Sequence, residues 1–196
     1  YDGSSPQNIY SANYYDLTIN NSSGTNLTDF TIVYGNIDFS QGNINVNSFD
    51  LILSTQATVS NVSNSSHTHN GNVGKEFNSL TQFSYPLGDG TNYWPITLTS
   101  STTNTNNLSA AYMFAAQNQS SLNSSLSSIE NYGWDIQKNT GTDGFNITIP
   151  FDAGYSITDF NNLTIAMWNG TEWTEVPSTV TGTASIGSIT TNNPVS

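Results

Sequence analysis

The sequence predicts an all-β domain, a single Ig-like or jelly-roll-type β-sandwich of about ten strands, on three observations. Apolar residues alternate with polar ones rather than recurring at helical spacing. The short apolar segments are rich in β-branched and aromatic residues and follow one another every 8–15 residues or so, the rhythm of a sandwich or barrel. Between them lie Asn-, Ser-, Thr- and Gly-rich stretches that read as turns.

Tyr15, Leu17 and Ile19 stand at period two within Asn13–Asn20 and predict the first strand of the sandwich. Phe30–Tyr34 follows the polar turn Asn21–Asp29. Phe49–Leu53, Ala57–Val62, Phe77–Tyr85, Tyr93–Leu98 and Ala110–Ala116 continue the series. The last third is the plainest: Phe145–Ile149, Leu163–Trp168 and Glu172–Val176. Asn169-Gly170 joins the final pair, and that dipeptide suits a tight primed hairpin turn because both residues tolerate left-handed dihedrals. The best helix candidate, Ser120–Ile129, is too rich in Ser and Asn to favour one. Ser60–Val73 and Ser100–Asn107 read as exposed polar loops, and no internal repeat is apparent.

Composition narrows the function classes. The chain has 196 residues, enough for one domain with a core of its own, and its 23 aromatics set it apart from a disordered chain. Fourteen carboxylates face two lysines and no arginine, a net charge of −12. Nucleic acid and anionic lipid both require cationic partners, so neither is an expected ligand. Only 8% of residues are charged, while Asn, Ser and Thr supply about two in five. A neutral polar surface of that kind keeps its hydration in acid and offers few sites to proteases that cut at Lys or Arg. There is no Cys, which removes disulfides, thiolate metal sites and thiol catalysis. No run approaches the length of a membrane span. The chain opens at Tyr1 with no charged or apolar leader, so a secreted, mature product is expected, one lacking the apolar helix through which type IV pilins assemble.

Eleven N-x-Ser/Thr sequons mark Asn20, Asn21, Asn26, Asn61, Asn64, Asn107, Asn118, Asn123, Asn146, Asn162 and Asn169 as candidate N-glycosylation sites. Chance at this composition gives about eight, so the weight rests on placement: most fall in predicted turns. His67-Thr68-His69 sets two imidazoles near one another without a third ligand. Asp89–Asn92 and Asp143-Gly144 have the oxygen-rich, Gly-bent flavour of calcium loops but not the twelve-residue pattern, so no cofactor is expected. Glu172 and Glu175 straddle one short strand, and no Ser-His-Asp set is recognisable; the chain does not read as an enzyme. Lys75 and Lys138 are candidates for an intramolecular isopeptide bond to Asn, a reaction that needs a desolvated, neutral amine. Trp94, Trp134, Trp168 and Trp173 are candidates for a sugar-stacking platform, with core packing as the plainer role.

Taken together, the Cys-free Asn/Ser/Thr-rich composition, the sequons, the strand count and the missing pilin helix resemble subunits of archaeal extracellular thread-type filaments. The hairpin Trp168–Trp173 within Phe145–Val176 is similar to modules of prokaryotic surface and sheath proteins. The first resemblance implies a glycosylated structural subunit that polymerises with identical copies by donor-strand complementation. The ends fit such a scheme. Residues 1–12 form an extended donor strand ahead of a sandwich over 13–196, with Ile9, Tyr10, Ala12 and Tyr14 as its contact residues; Thr183–Pro194, with Ile186 and Ile189, is the other candidate. The alternatives are a monomeric adhesin or carbohydrate-binding module that engages surface glycans of other cells, and an S-layer or sheath tile.

Overall fold

The computed structural model describes residues 1–79, 81–101, 104–113, 120–130, 133–155 and 157–196. The all-β class is as the sequence predicts, 54% strand and 3% helix, but the architecture is a β-solenoid of about four turns and not a sandwich. Successive turns of the first half lie on one another in parallel. The first turn is β1 (Gln7–Ile9), β2 (Asn13–Tyr14) and β3 (Leu17–Asn20). The second is β4 (Thr25–Leu27), β5 (Thr31–Val33) and β6 (Asn36–Gln41). The third is β7 (Ile44–Asn45), β8 (Asp50–Leu53) and β9 (Thr58–Ser60), and the fourth begins with β10 (Thr68–His69) and β11 (Asn72–Phe77). Gln7 pairs with Thr25, Thr25 with Ile44, Ile44 with Thr68 and Thr68 with Leu87, so a turn takes 18, 19, 24 and 19 residues. The chain therefore does contain a repeat. The boundary expected between residues 12 and 13 falls inside its first turn.

Inward columns run through the stack and account for its stability. Ile9, Leu27 and Val46 are wholly buried in one, Leu17 and Ile37 in another, and Ile19 and Phe39 in a third. At about 25 cal/mol per Å² each such aliphatic side chain contributes roughly 2 kcal/mol of burial. Some inward positions hold polar residues: Thr25, Thr31, Ser66, His67 and Thr68 are each at most 4% exposed. Their hydrogen-bonding groups are met locally, as in Thr68 Oγ1 donating to the Pro86 carbonyl and the Gly42 N–H donating to Ser66 Oγ. Gly42 sits at a corner with φ +91, and a Cβ there would fall on the Asn21 carbonyl, so only glycine lets the second turn pass into the third.

The second half closes the solenoid with antiparallel strands. After β11 come β12 (Gln82–Tyr85), β13 (Leu87–Gly88), β14 (Ile96–Ser100), β15 (Asn106–Met113), β16 (Gly133–Thr140) and β17 (Phe145–Asp152). Then follow β18 (Ile165–Trp168), β19 (Trp173–Val176), β20 (Ser178–Thr183) and β21 (Ile186–Thr191). β13 ends the parallel sheet β1-β4-β7-β10-β13. β15 and β16 extend the sheet of β2, β5, β8 and β11 to six strands, while β12-β14-β17-β21-β20 form a separate antiparallel sheet. Residues 120–130 contain no helix. The β18–β19 hairpin forms, with a loop of a different kind from the two-residue turn expected. Residues 169–172 lie between the paired Trp168 and Trp173, only Gly170 has positive φ, and Asn169 Oδ1 accepts from the N–H groups of Thr171 and Glu172.

Candidate functional site

The six-stranded sheet has the order β16-β15-β11-β8-β5-β2, and among the described residues neither β16 nor β2 has a partner on its outer side. β2, β5, β8 and β11 all run parallel; β15 is antiparallel to β11, and β16 is antiparallel to β15. Two reversals restore the original sense, so the two open edges of this sheet run in the same direction. Along the β2 edge the carbonyls of Ala12 and Tyr14 accept from the N–H groups of Ile32 and Tyr34. By the alternation of an extended strand, the N–H and C=O of Asn13 between them face the open side. At the other edge β16 offers eight residues, Gly133–Thr140.

The outward surface of the same sheet is apolar near β2. Ile32 and Ile52 are cross-strand neighbours and half-buried, while Phe30, Tyr34, Tyr15 and Tyr10 are 46%, 43%, 76% and 66% exposed. Tyr15 sits at a corner, where the alternation of inward and outward residues resets. Phe30 and Tyr34 point outward because they continue the row of Ile32, while Thr31 and Val33 between them face inward.

The donor-strand residues have mixed fates. Ile9 is fully buried in its own chain, because Gln7–Ile9 pairs with Thr25–Leu27; Tyr10 and Ala12 are exposed; Tyr14 is half-buried, its hydroxyl against those of Tyr1 and the Tyr10 carbonyl. Residues 1–12 are thus no separate strand: Tyr1 already lies on β3, its ammonium donating to the Thr18 carbonyl at 2.7 Å. The C-terminal candidate is likewise engaged, since β21 lies between β17 and β20. The chain matches no family model, no curated protein and no solved structure.

Of the sequons, Asn20, Asn61, Asn64, Asn162 and Asn169 are exposed, and Asn26, Asn107, Asn123 and Asn146 are half-buried. Asn21 is fully buried, its amide donating to the Ser5 carbonyl and Gln7 Oε1, so a glycan there requires the corner to open. Asn118 lies outside the described residues.

Lys75 takes an inward position between Leu53 and Leu108, and only 5% of it is exposed. Its Nζ donates to the carbonyls of Ser54, Thr55 and Ala57 and lies 5.2 Å from the Phe83 ring centre. Burial lowers its pKa to about 8, which leaves it protonated at neutral pH. Three protons on three carbonyls is the arrangement of an ammonium, not of a neutral amine directed at an Asn carboxamide. Lys138 is half-buried on β16, opposite Leu108.

His67 is fully buried, contrary to the exposed loop expected for Ser60–Val73. Its Nε2 accepts from the Gly90 N–H at 3.2 Å, so Nδ1 carries the proton and donates to the Ser63 carbonyl at 3.0 Å. Both ring nitrogens are occupied, and no group of three metal-ligating side chains occurs among the described residues. Asp89 closes a turn by accepting from the N–H groups of Thr91 and Asn92 and from Trp94 Nε1. Burial works upward on its pKa, but these bonds outweigh it and hold the carboxyl down at about 2. Asp143 accepts from the side-chain amides of Asn104 and Asn106. Glu172 accepts from Asn123 Nδ2 and Glu175 from Thr164 Oγ1.

The tryptophans form two groups. Trp168 and Trp173 pair across the hairpin with ring centres 5.7 Å apart. Trp94 stacks on Tyr112 and meets Tyr155 edge-on, and its carbonyl accepts from Trp134 Nε1.

Proposed function

We propose that this chain is a structural subunit of a glycosylated extracellular homopolymer, joined head to tail through the open edges of the six-stranded sheet. The observation that carries this reading is that β2 and β16 bound one sheet, are both open among the described residues, and run in the same direction. A second copy moved along the stacking direction brings its β2 beside β16 of the first in the parallel arrangement already used between turns. Such a contact joins different surfaces and does not close, so it grows into a filament. This replaces insertion of residues 1–12 as the joint, because those residues are part of the first turn. Glycans on the exposed sequons would shield so neutral-polar a surface from unplanned edge pairing in an extracellular setting.

Proline tests the joint without removing a turn. N–H groups alternate along a strand, so one of Ile136→Pro and Gln137→Pro removes an N–H that faces solvent and the other removes one that bonds β15. The variant with unchanged melting is the informative one. It should stay monomeric by size exclusion and electron microscopy while the parent forms filaments. Filaments from that variant would refute the proposed joint.

A further inference from the structure

A cleft of about 360 Å³ opens where the solenoid meets the antiparallel half, lined by Asn64, Asn92, Tyr93, Trp94, Asp152 and Gly154 among others. It lies apart from the sheet edges and is built differently from a second groove. That groove, about 300 Å³, follows the outer face of β4 and β7 and is lined chiefly by Asn, Ser, Thr and Gly.

The cleft's aromatic wall is held rigidly. Polar contacts fix Trp94: its indole N–H donates 2.9 Å to Asp89, its backbone N–H donates to the Leu87 carbonyl, and its own carbonyl accepts from Trp134. Tyr112 and Tyr155 pack on its ring. Tyr93 beside it is anchored by its N–H donating to Asn64 Oδ1. The opposite wall has a carboxylate, Asp152, one oxygen of which accepts from the Gly154 N–H at 2.8 Å; the other has no protein partner among the described residues. Gly154 leaves the Asp152 carboxylate uncrowded, since a Cβ there would stand 3.0 Å from Asp152 Oδ1 and in ordinary contact, 3.8 Å, with the edge of the Trp94 indole.

We infer that this cleft binds a neutral pyranose ring. Rigid aromatic rings suit the C–H face of a sugar, and Asp152 with the Asn92 carboxamide suits its hydroxyls, while Asn64 stands at the rim with its Oδ1 committed to the Tyr93 N–H. Nothing cationic lines the cleft. Lys75 is committed to backbone carbonyls elsewhere, and the chain carries −12, so an anionic ligand is disfavoured. The pyranose has two sources. It is either a free or foreign saccharide, or the chain's own glycan, because Asn64 heads a sequon at the rim.

The test begins with full-length, unglycosylated protein carrying the monomeric proline substitution, titrated with triacetylchitotriose and with maltotriose. The Trp94 indole resonance and intrinsic fluorescence report occupancy. At least one trisaccharide should saturate the signal with a Kd below about 10 mM. Asp152→Ala should weaken binding at least fivefold, and Gly154→Val, whose side chain crowds the Asp152 carboxylate and the edge of Trp94, should abolish it with melting unchanged. Absence of saturation by both sugars, or equal binding by both variants, overturns the inference. The glycosylated chain then distinguishes the sources. If it binds free trisaccharide poorly and Asn64→Asp, which retains the acceptor for the Tyr93 N–H, restores binding, the occupant is its own glycan. Equal binding by the two assigns the cleft to saccharides from outside.

Discussion

At the scale of single residues the fold concentrates its risk in a few buried polar side chains. Lys75→Ala would leave the carbonyls of Ser54, Thr55 and Ala57 without their donor in a dry interior. The expected cost is roughly 3 kcal/mol in a urea melt, well above the effect of an exposed substitution. His67 supplies a pH dependence whose sign follows from its contacts. Burial lowers its pKa from 6.5, and protonating Nε2 would set a second N–H against that of Gly90. The unfolded chain therefore takes up the proton first as pH falls through 6.5. Stability should be complete above that value and decline towards pH 5. His69, lowered by its own burial and by His67, acts in the same direction. Thermal midpoints across this range should slope downward in acid, and a His67→Asn/His69→Asn variant should lose the slope. The Asp89 carboxylate, held down at about 2, contributes stability above the ordinary value of 3.8 that is lost only as pH falls through that interval.

At the scale of elements the decisive feature is the inward column. Ile37→Ala should cost about 3 kcal/mol, since Ile37 is fully buried between Leu17 and Val59 on neighbouring turns. Ile32→Ala on the outward row should cost less than 1 kcal/mol. Measured side by side, the two variants separate the faces of a turn. These elements also show what the sequence disclosed. Strand positions were largely legible, because Leu17/Ile19 and Leu51/Leu53 alternate plainly within single strands. Their arrangement was not. Short strands break at corners, so Tyr15 faces solvent although it stands at period two with buried Leu17, and β5 turns its polar Thr31 inward while Phe30, Ile32 and Tyr34 form the outward row. The fourth turn was hidden more thoroughly, since its inward positions at Ser66, His67 and Thr68 are polar and read as a loop. The uneven turns of 18 to 24 residues further blur a repeat that pairing makes evident. Of the candidate site, Trp94 was visible as an aromatic, but Asp152 and Gly154 join it only through the fold.

At the scale of the whole molecule, assembly must overcome the repulsion of chains that each carry −12. Raising ionic strength from about 10 mM to 150 mM shortens the screening length from roughly 30 to 8 Å and should speed filament growth, as light scattering can follow. Edge addition also fixes a length. Six strands separate equivalent positions of successive copies, and at about 4.8 Å per strand the repeat along the sheet is roughly 29 Å. The most direct measurement is electron cryo-microscopy of the assembled protein, with the fold-neutral proline variant of β16 beside it. Edge addition requires filaments with a subunit rise near 29 Å, a continuous sheet in which β2 follows β16, and monomers only from the variant. A chain that stays monomeric at every concentration and salt, or a filament whose subunits meet through other surfaces and persist in the variant, would contradict it.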